Sequence, residues 1–336
     1  MRFGYSTDCL RHDPGPRHPE SPDRLRAIRR GLAHRHGVEY VDADPITAEA
    51  ARRVHDDDYV TEFREFCDSG GGQWDPDTVA VEATWEAACK SAGLAVWAAE
   101  GAVAGATGRD TPFSLGRPPG HHAVADDAMG FCFFNNAAVA AQATLDDGLD
   151  RVAVIDWDVH HGNGTQDIFY DRGDVCYCSI HEHGLYPGTG TVDETGTGEG
   201  TGTTVNIPFR AGSGDAAYVE ALETAFAPVL AGFDPDLLLI SAGFDAHVND
   251  PISRMSVSTE GYGVLAARAR SLADRLDAAL GFVLEGGYGL ETIADGVEMT
   301  NEVFDGYEPV EPDDDVDDDA QSVIDDARAA HGLGEK

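Results

Sequence analysis

The chain has 336 residues, 61 of them acidic and 23 basic, which gives a formal net charge of −38 at pH 7. Duplex nucleic acid is therefore not an expected partner, because binding it depends on basic groups that neutralise phosphates. No run of 18 or more apolar residues occurs, and residues 1–10 lack the pattern of a secretory signal, so we expect a cytoplasmic protein that does not bind membranes. The six cysteines form no CxxC pair, which argues against a disulfide framework and a thiolate zinc site.

The acidity is combined with 42% hydrophobic residues, enough for a sizeable core. We interpret it as a carboxylate-covered surface of the kind that suits a halophilic, salt-rich cytosol. Such a surface repels itself in dilute buffer and is screened in molar salt, where the Debye length is about 3 Å. The stability of the protein should therefore depend on salt.

Helix-like stretches and short apolar runs alternate along the chain. The helix-like stretches are residues 79–104, 135–147, 215–232 and 259–280, and the apolar runs that end in polar residues are 151–162, 235–247 and 281–289. This alternation is typical of buried parallel strands covered by helices. It predicts an α/β fold in a single domain over residues 1–336, with a mostly parallel sheet between two helical layers, three layers in all.

In such sheets, ligands bind outside the carboxyl ends of the strands, where the three apolar runs place their Asp, His, Glu and Tyr residues. We interpret the glycine-rich stretch 188–204 as an active-site loop, because a domain boundary there would separate strands that the sheet needs together. Residues 311–319 are predicted to form a solvated acidic loop, and residues 320–332 have the apolar spacing of a last helix that docks on the domain.

The first motif with chemistry is RPPGHHA, residues 117–123, which follows a strand-like segment. Its prolines and glycine present His121 and His122 at fixed angles. Tandem histidines are either metal ligands or acid–base catalysts, and the next motif decides between these two hypotheses.

The run DWDVHHGNG, residues 156–164, brings carboxylates and imidazoles together where a strand turns into a loop. Asp158 and His160 could supply two ligands of a metal site, and Asp245, at the end of another strand, a third. Taken singly, such residues also cap helices or form hydrogen-bonded loops. Three protein ligands leave a coordination position open for catalysis, and they leave the tandem histidines for proton transfer.

The third motif is EGGYG, residues 285–289. Its glycines allow a close backbone approach, and the Tyr288 hydroxyl can point inward as a donor. The alternative is a tight turn with a packed tyrosine.

With these motifs in this order, the chain resembles the histone deacetylase superfamily, which includes acetylpolyamine amidohydrolases and shares its fold with arginase. The segments HPESPDRL (18–25), MGFCFFNNAAVAA (129–141) and LYPGTG (185–190) extend the resemblance over nearly the whole chain. It implies an arginase/deacetylase-like fold and zinc-dependent removal of acetyl or similar acyl groups from lysine side chains.

The resemblance also implies a role for each matching residue. Asp158, His160 and Asp245 would bind zinc, although such a ligand set also accepts Fe²⁺ or Co²⁺. His122 would be the general base, with His121 beside it as an electrostatic partner tied to Asp156. Asn163 would hold His122 in place. Class II members also have Asn at this position, whereas some other branches of the family have Asp.

On the substrate side, the resemblance implies that Tyr288 polarises the amide carbonyl and that the Gly130 carbonyl receives the amide N–H. Phe131 and Tyr186 would line an acyl-lysine tunnel, and Arg24 would lie near a channel for released acetate. A structural K⁺ ion would be held by Ser179 and by carbonyl oxygens, those of Asp156, Asp158, His160 and Ile180.

Several alternatives stay open. The substrate could be an acetylated polyamine, but some polyamine-selective relatives carry an acidic gatekeeper where this chain has Ile252, which favours lysine-type substrates. A remote alternative is a non-catalytic acyl-amine binding module. We expect the loop of His181, Glu182 and His183 to have a rim or structural role and not to form a metal site, because such loops usually face solvent, and we expect His247 to support the ligands from behind. The oligomeric state is not predicted.

Overall fold

The structure is a computed structural model and describes residues 1–334. Its strands are β1 (Arg2–Gly4), β2 (Glu39–Val41), β3 (Gly71–Gln73), β4 (Val79–Val81), β5 (Pro112–Ser114), β6 (Val152–Asp156), β7 (Val175–Glu182), β8 (Thr204–Phe209), β9 (Leu237–Ala242) and β10 (Ala279–Leu284). Eight of them form one sheet in the order β2-β1-β5-β10-β9-β6-β7-β8, and every pairing in it is parallel. β3 and β4 form a separate antiparallel hairpin.

The helices connect the strands as the alternation predicts. They are α1 (Asp23–Leu32), α2 (Ala48–Ala51), α3 (Asp57–Asp68), α4 (Thr84–Val103), α5 (Asn136–Asp146), α6 (Asn163–Phe169), α7 (Asp215–Ala221), α8 (Ala227–Phe233), α9 (Thr259–Leu276), α10 (Leu290–Phe304) and α11 (Asp318–Ala330). A π-helical turn, Leu222–Phe226, joins α7 to α8. Of the helices in residues 1–334, none combines the length and the apolar character needed to cross a lipid bilayer.

The sheet separates two apolar cores, because neighbouring residues of a strand point to opposite faces. On β6 and β9, Val154 and Leu239 face one core with the alanines of α4 and α5. Ile155 and Ile240, one position further along, face the other core with α9 and α10. The three-layer α/β architecture with helices on both faces is therefore confirmed.

Two of the predicted helices are wrong at their ends. The stretch 79–104 begins with β4, because Val79 and Val81 pair with β3, and its helix starts only at Thr84. The stretch 259–280 ends as a helix at Leu276, where Asp277 takes a left-handed conformation with φ 54°. The last residues of that stretch already belong to β10.

The C-terminal part follows the sequence expectation closely. The acidic run includes Asp317, whose side chain caps α11 by accepting a hydrogen bond from the Ala320 N–H at 2.9 Å. Acidic residues at a helix N-terminus are favourable because of the helix dipole. α11 buries Ala320, Ile324 and Ala327 and packs against β8 and the π-helical turn.

Candidate active site

The polar residues that follow β6 and β9 meet at the carboxyl edge of the sheet. The two strands are direct neighbours, with Asp156 opposite Ser241. Asp158 and His160 lie just beyond β6, and Asp245 lies three residues beyond β9. All three side chains are buried, and their ligand atoms lie within 4.8 Å of one another.

These three residues fit a divalent cation. His160 Nδ1 lies 3.0 Å from Asp158 Oδ1 and 3.3 Å from Asp245 Oδ2. Asp245 Oδ2 is buried and yet accepts no hydrogen bond from any residue in the described part of the chain. Burial raises the pKa of Asp245 to about 7, and repulsion from Asp158 adds to the shift. A cation between the two carboxylates would remove this repulsion and give the orphaned oxygen a partner.

Backbone groups hold the two carboxylates in place. The other oxygen of Asp245 accepts a hydrogen bond from the Val159 N–H at 2.9 Å, and Asp158 Oδ2 accepts one from the Gly286 N–H at 2.7 Å. A Cβ at Gly286 would lie 2.1 Å from Asp245 Oδ2 and 2.5 Å from Asp158 Oδ2. Only glycine therefore lets the loop after β10 approach the ligands this closely.

His121 is paired with a carboxylate. Its Nδ1 lies 3.0 Å from Asp156 Oδ2, and its Nε2 lies 3.8 Å from Asp158 Oδ1. Burial would lower the pKa of His121, but the charges of Asp158 and Asp156 outweigh burial and raise it to about 10. Tyr177 supports Asp156 from the next strand by donating its hydroxyl to Oδ2 at 3.0 Å.

His122 is paired with an amide instead. Its Nδ1 lies 2.8 Å from Asn163 Oδ1, and the Asn163 amide nitrogen faces the His122 carbonyl and Met129 Sδ. Because Asn163 Oδ1 can only accept, Nδ1 carries the proton, and Nε2 keeps its lone pair. Burial lowers the pKa of His122 well below its usual value, and the neighbouring His121 and His160 lower it further. The two adjacent imidazoles, 4.1 Å apart between ring centroids, thus have opposite pKa shifts and different hydrogen-bond partners.

Aromatic residues surround this pair. The Tyr186 ring stands edge-on to His122 at 5.1 Å, and Phe131 faces Tyr288 at 5.8 Å. Gly130 and Phe131 both have positive φ, 55° and 69°. A Cβ at Gly130 would lie 2.4 Å from His122 Cδ2, so the backbone passes directly against the imidazole. The structure therefore places the predicted substrate-binding residues around His122 and Tyr288.

The residues predicted for a monovalent cation lie on β6, in the turn that follows it, and on β7. Asp156 and Ser179 are register partners on β6 and β7, and Ser179 and Ile180 are buried. The Ser179 hydroxyl lies 3.0 Å from His181 Nδ1.

The loop expected at residues 181–183 and the position expected for His247 are wrong. His181 and Glu182 are not in a solvent-facing loop, because they are the buried end of β7, and only His183 is exposed. Glu182 accepts hydrogen bonds from Arg254, and His181 Nε2 lies 3.0 Å from the Gly190 carbonyl oxygen. His247 contacts Thr259 and the Asn249 N–H and not the ligands.

The glycine-rich stretch 188–204 contacts residues that follow the metal ligand His160 along the chain. Thr189 Oγ1 lies 2.8 Å from His161 Nδ1, and Glu194 accepts a hydrogen bond from Gln166 at 2.6 Å. The stretch therefore packs against the start of α6, and Tyr186, just before it, is the part of this segment that reaches His122.

Sequence reasoning missed two buried carboxylates. Glu285 Oε2 accepts hydrogen bonds from the Gly120 N–H at 2.7 Å and the His121 N–H at 3.2 Å, behind the tandem histidines. Asp250 accepts hydrogen bonds from the N–H groups of Tyr288 and Gly289. Both stand near residues with a clearer chemical signal, and only the folded backbone shows which N–H groups they reach.

The fold and the site define a class: an α/β protein with a candidate metal centre at the carboxyl edge of a parallel sheet, flanked by two histidines and a tyrosine. The comparison with family models shows a match to the histone deacetylase domain over residues 18–304. The chain therefore belongs to the histone deacetylase family, and it is a hydrolase that acts on amide bonds.

Individual relatives agree with this assignment. A histone deacetylase-like amidohydrolase of Pseudomonas aeruginosa is 38% identical over 311 residues, 85% of this chain and 81% of the relative. An acetylpolyamine amidohydrolase 2 of the same species is 45% identical over 232 residues, 68% of this chain and 64% of the relative. The crystal structure of the HDA15 HD domain superposes with a TM-score of 0.89 and 35% sequence identity, covering 98% of this chain and 96% of that one.

Proposed function

We propose that the protein is a zinc-dependent deacylase that removes acetyl or similar acyl groups from the amine of lysine side chains. The observation that carries the proposal is the convergence of Asp158, His160 and Asp245 within 4.8 Å. Beside them lie two imidazoles with different hydrogen-bond partners, one a carboxylate and the other an amide. Zinc suits a site with two carboxylates and one imidazole, and Fe²⁺ or Co²⁺ would fit the same donors.

The metal, when bound, would polarise the amide carbonyl of the substrate and lower the pKa of a water molecule. His122 acts as the general base: Asn163 fixes the proton on Nδ1, and the lone pair of Nε2 removes a proton from the attacking water. The Tyr288 hydroxyl donates a hydrogen bond to the carbonyl oxygen as negative charge develops there. The proton held by His122 then passes to the leaving amine.

His121 places a positive charge next to the general base. Its hydrogen bond to Asp156 and its closeness to Asp158 favour the protonated imidazole, which faces His122 at 4.1 Å. A fixed positive charge beside the base keeps His122 neutral before water attacks, because a second charge there would be repelled. We also propose that a K⁺ ion held by Ser179 and by carbonyl oxygens of Asp156 and Ile180 stabilises this strand edge.

For the substrate, the segment after Asp245 favours acyl-lysine. Asp250 is the one acidic residue between residues 246 and 254, and its carboxylate is engaged with backbone N–H groups. It therefore cannot serve as a gatekeeper for a polyamine cation. Gly130, Phe131 and Tyr186 would form the walls that receive the acyl-lysine chain.

An acetylated polyamine is the second candidate substrate. The polyamine-deacetylating relative is the more identical of the two bacterial proteins above, at 45%. In addition, the pKa of Tyr186 is raised by burial and by the negative charges of Asp77 and Asp75, so these carboxylates lie near enough to attract a second ammonium group.

The cysteines support a proposal about the cellular compartment. All six are buried free thiols, which agrees with a reducing cytoplasm. We therefore propose that the enzyme works there, on protein or polyamine substrates.

The test is a rate comparison between an acetyl-lysine peptide and an N-acetylated polyamine, in molar KCl, with zinc-loaded protein and with chelator. We expect chelator to abolish both rates and the peptide to have the higher kcat/KM. Tyr288→Phe should keep one metal per chain and lose about 10²–10³ in kcat, the usual cost of an oxyanion contact. A chelator-resistant rate, or a Tyr288→Phe variant with the rate of the unmodified enzyme, would contradict the proposal.

A further inference from the structure

The carboxylate of Asp250 is used by none of the roles assigned above, although it is almost fully buried, with 6% of the residue exposed. Its Oδ2 accepts hydrogen bonds from the N–H groups of Tyr288 at 2.8 Å and Gly289 at 2.9 Å. Its Oδ1 accepts one from the Ile252 N–H at 3.0 Å. Asp250 thus connects the loop after β9 with the loop after β10.

We propose that Asp250 is a positioning residue for Tyr288: its carboxylate fixes the backbone from which the catalytic hydroxyl reaches the substrate carbonyl. This inference rests on the proposed function, in which Tyr288 stabilises the developing oxyanion. Asp250 itself touches no reacting atom.

The loop that carries Tyr288 needs an external support. It contains three glycines, and Gly287 has φ 115°, a conformation that side chains rarely adopt. Gly289 stands at the N-cap of α10 and has no side chain to satisfy the free N–H groups there. Asp250 accepts hydrogen bonds from the N–H of this N-cap glycine and from that of Tyr288 just before it, and its negative charge also suits the positive end of the helix.

The same loop carries a proposed metal ligand. Asp245 lies five residues before Asp250, and the Ser253 hydroxyl donates a hydrogen bond to the Asp245 carbonyl oxygen at 2.6 Å. Asp245 and Tyr288 are therefore held in a fixed relative position by one short segment. Because a misplacement of about 1 Å can cost about 10² in rate, this connection matters for catalysis and not only for stability.

A double-mutant cycle separates positioning from a purely structural role. Asp250→Ala and Asp250→Asn are made in the natural protein and in a Tyr288→Phe background, and kcat, KM, metal content and melting temperature are measured with an acetyl-lysine peptide. We expect Asp250→Ala to lower kcat by about 10- to 100-fold, with KM and metal content unchanged. In the Tyr288→Phe background, it should lower kcat by less than about twofold, because the two residues act through one hydroxyl.

The conservative variant and a control complete the design. Asp250→Asn keeps an oxygen for the Tyr288 and Gly289 N–H groups but loses the charge, so it should fold and show a smaller fall in kcat. Asp317→Ala removes a carboxylate that caps α11 through the Ala320 N–H, far from the site. It should lower the melting temperature without changing kcat.

The outcomes distinguish the two proposals. If Asp250→Ala lowers kcat equally in both backgrounds, leaves kcat unchanged, or loses the metal, the inference about Asp250 is overturned while the proposed function stands. If Tyr288→Phe itself leaves kcat unchanged, the role of the tyrosine fails, and the inference fails with it.

Discussion

Two clusters of charged side chains are fully buried in this protein, and they differ in where their positive charge comes from. In the first, Arg117 donates to both oxygens of Glu20 at 2.6 and 2.7 Å, and Arg24 adds a contact at 3.2 Å. Burial would raise the pKa of Glu20, but these guanidinium groups outweigh it and hold the pKa far below its usual value. In the second, the proposed metal centre, Asp245 has a raised pKa and an oxygen without a hydrogen bond among the described residues.

The source of the positive charge distinguishes a structural ion pair from a binding site. Both clusters are rich in buried charge, so burial does not separate them. The Glu20 cluster contains its own cations and satisfies its carboxylate, whereas the Asp158–Asp245 pair needs a cation from outside. Two predictions test this difference, and two more concern a buried histidine and the surface charge outside both clusters.

The largest effect is expected for Asp245→Asn. The variant should lose the metal and about 10³-fold or more in kcat/KM, since a metal supplies several kcal/mol of transition-state stabilisation. In the presence of chelator, however, its melting temperature should equal or exceed that of the unmodified protein, because the repulsion with Asp158 is gone. Metal analysis, kinetics and thermal unfolding check this, and a less stable metal-free variant would show that the carboxylate is a structural one.

Glu20→Gln, in contrast, should lower the stability of the protein. It leaves Arg117 and Arg24 as uncompensated buried charges, which costs about 3–5 kcal/mol of unfolding free energy. Asp146→Asn is the matched control, because Arg53 makes the same two-bond contact with Asp146 on the surface, at 2.8 and 2.7 Å. Its unfolding free energy should hardly change, since water screens the pair. Equal losses of unfolding free energy in Glu20→Gln and Asp146→Asn, measured by urea titration, would contradict this prediction.

A buried histidine outside both clusters gives a pH effect of intermediate size. His55 Nδ1 lies 2.9 Å from the Val124 carbonyl oxygen, and Nε2 accepts a hydrogen bond from the Asn135 N–H. Burial lowers the pKa of His55 from 6.5 to about 4. The unfolded chain therefore binds a proton at higher pH than the folded chain does, so the stabilising contribution is complete above pH 6.5 and is lost as the pH falls towards 4.

Between pH 7 and pH 5 this histidine should account for a loss of about 2 kcal/mol of unfolding free energy. Urea titrations at both pH values check it, with His55→Gln as the variant whose pH dependence should be weaker by that amount. An identical pH dependence in the two proteins would mean that His55 titrates normally.

The smallest effect is expected from salt. The net charge of −38 should make the surface repel itself in dilute buffer. We expect the melting temperature to rise by about 2 °C or more from low salt to molar KCl, a shift that corresponds to roughly 1 kcal/mol. NaCl at the same concentration separates general screening from a specific K⁺ site, and a flat melting temperature would contradict the halophilic interpretation.

The sequence predicted the fold well because the fold depends on local pattern, and the same pattern places the proposed site residues at one edge of the sheet. Apolar runs that end in Asp158, Asp245 and Tyr288 describe buried parallel strands, and parallel strands bring their carboxyl ends to one edge. The same reasoning failed where the structure of a residue depends on the segment that it packs against. Val79–Val81 became a strand because it pairs with β3, and the His181 side chain is enclosed by Gly190 and the His161 ring.

The supporting carboxylates could not be predicted for a related reason. Glu285 reaches backbone N–H groups 165 and 164 residues away, and Asp250 reaches groups 38 and 39 residues away. A backbone N–H leaves no signal in the sequence, because every residue except proline has one. Only the three-dimensional arrangement tells which of them needs an acceptor.

The close approach of Gly130 to His122 has a consequence for engineering. Because even a methyl group at this position would collide with the imidazole, selection for bulkier acyl substrates cannot work by reshaping that wall. Variation should instead accumulate at Phe131 and Tyr186, whose rings make ordinary aromatic contacts with Tyr288 and His122 at 5.8 and 5.1 Å. A library that randomises these two positions and leaves Gly130 untouched would sample new specificities at the lowest risk to catalysis.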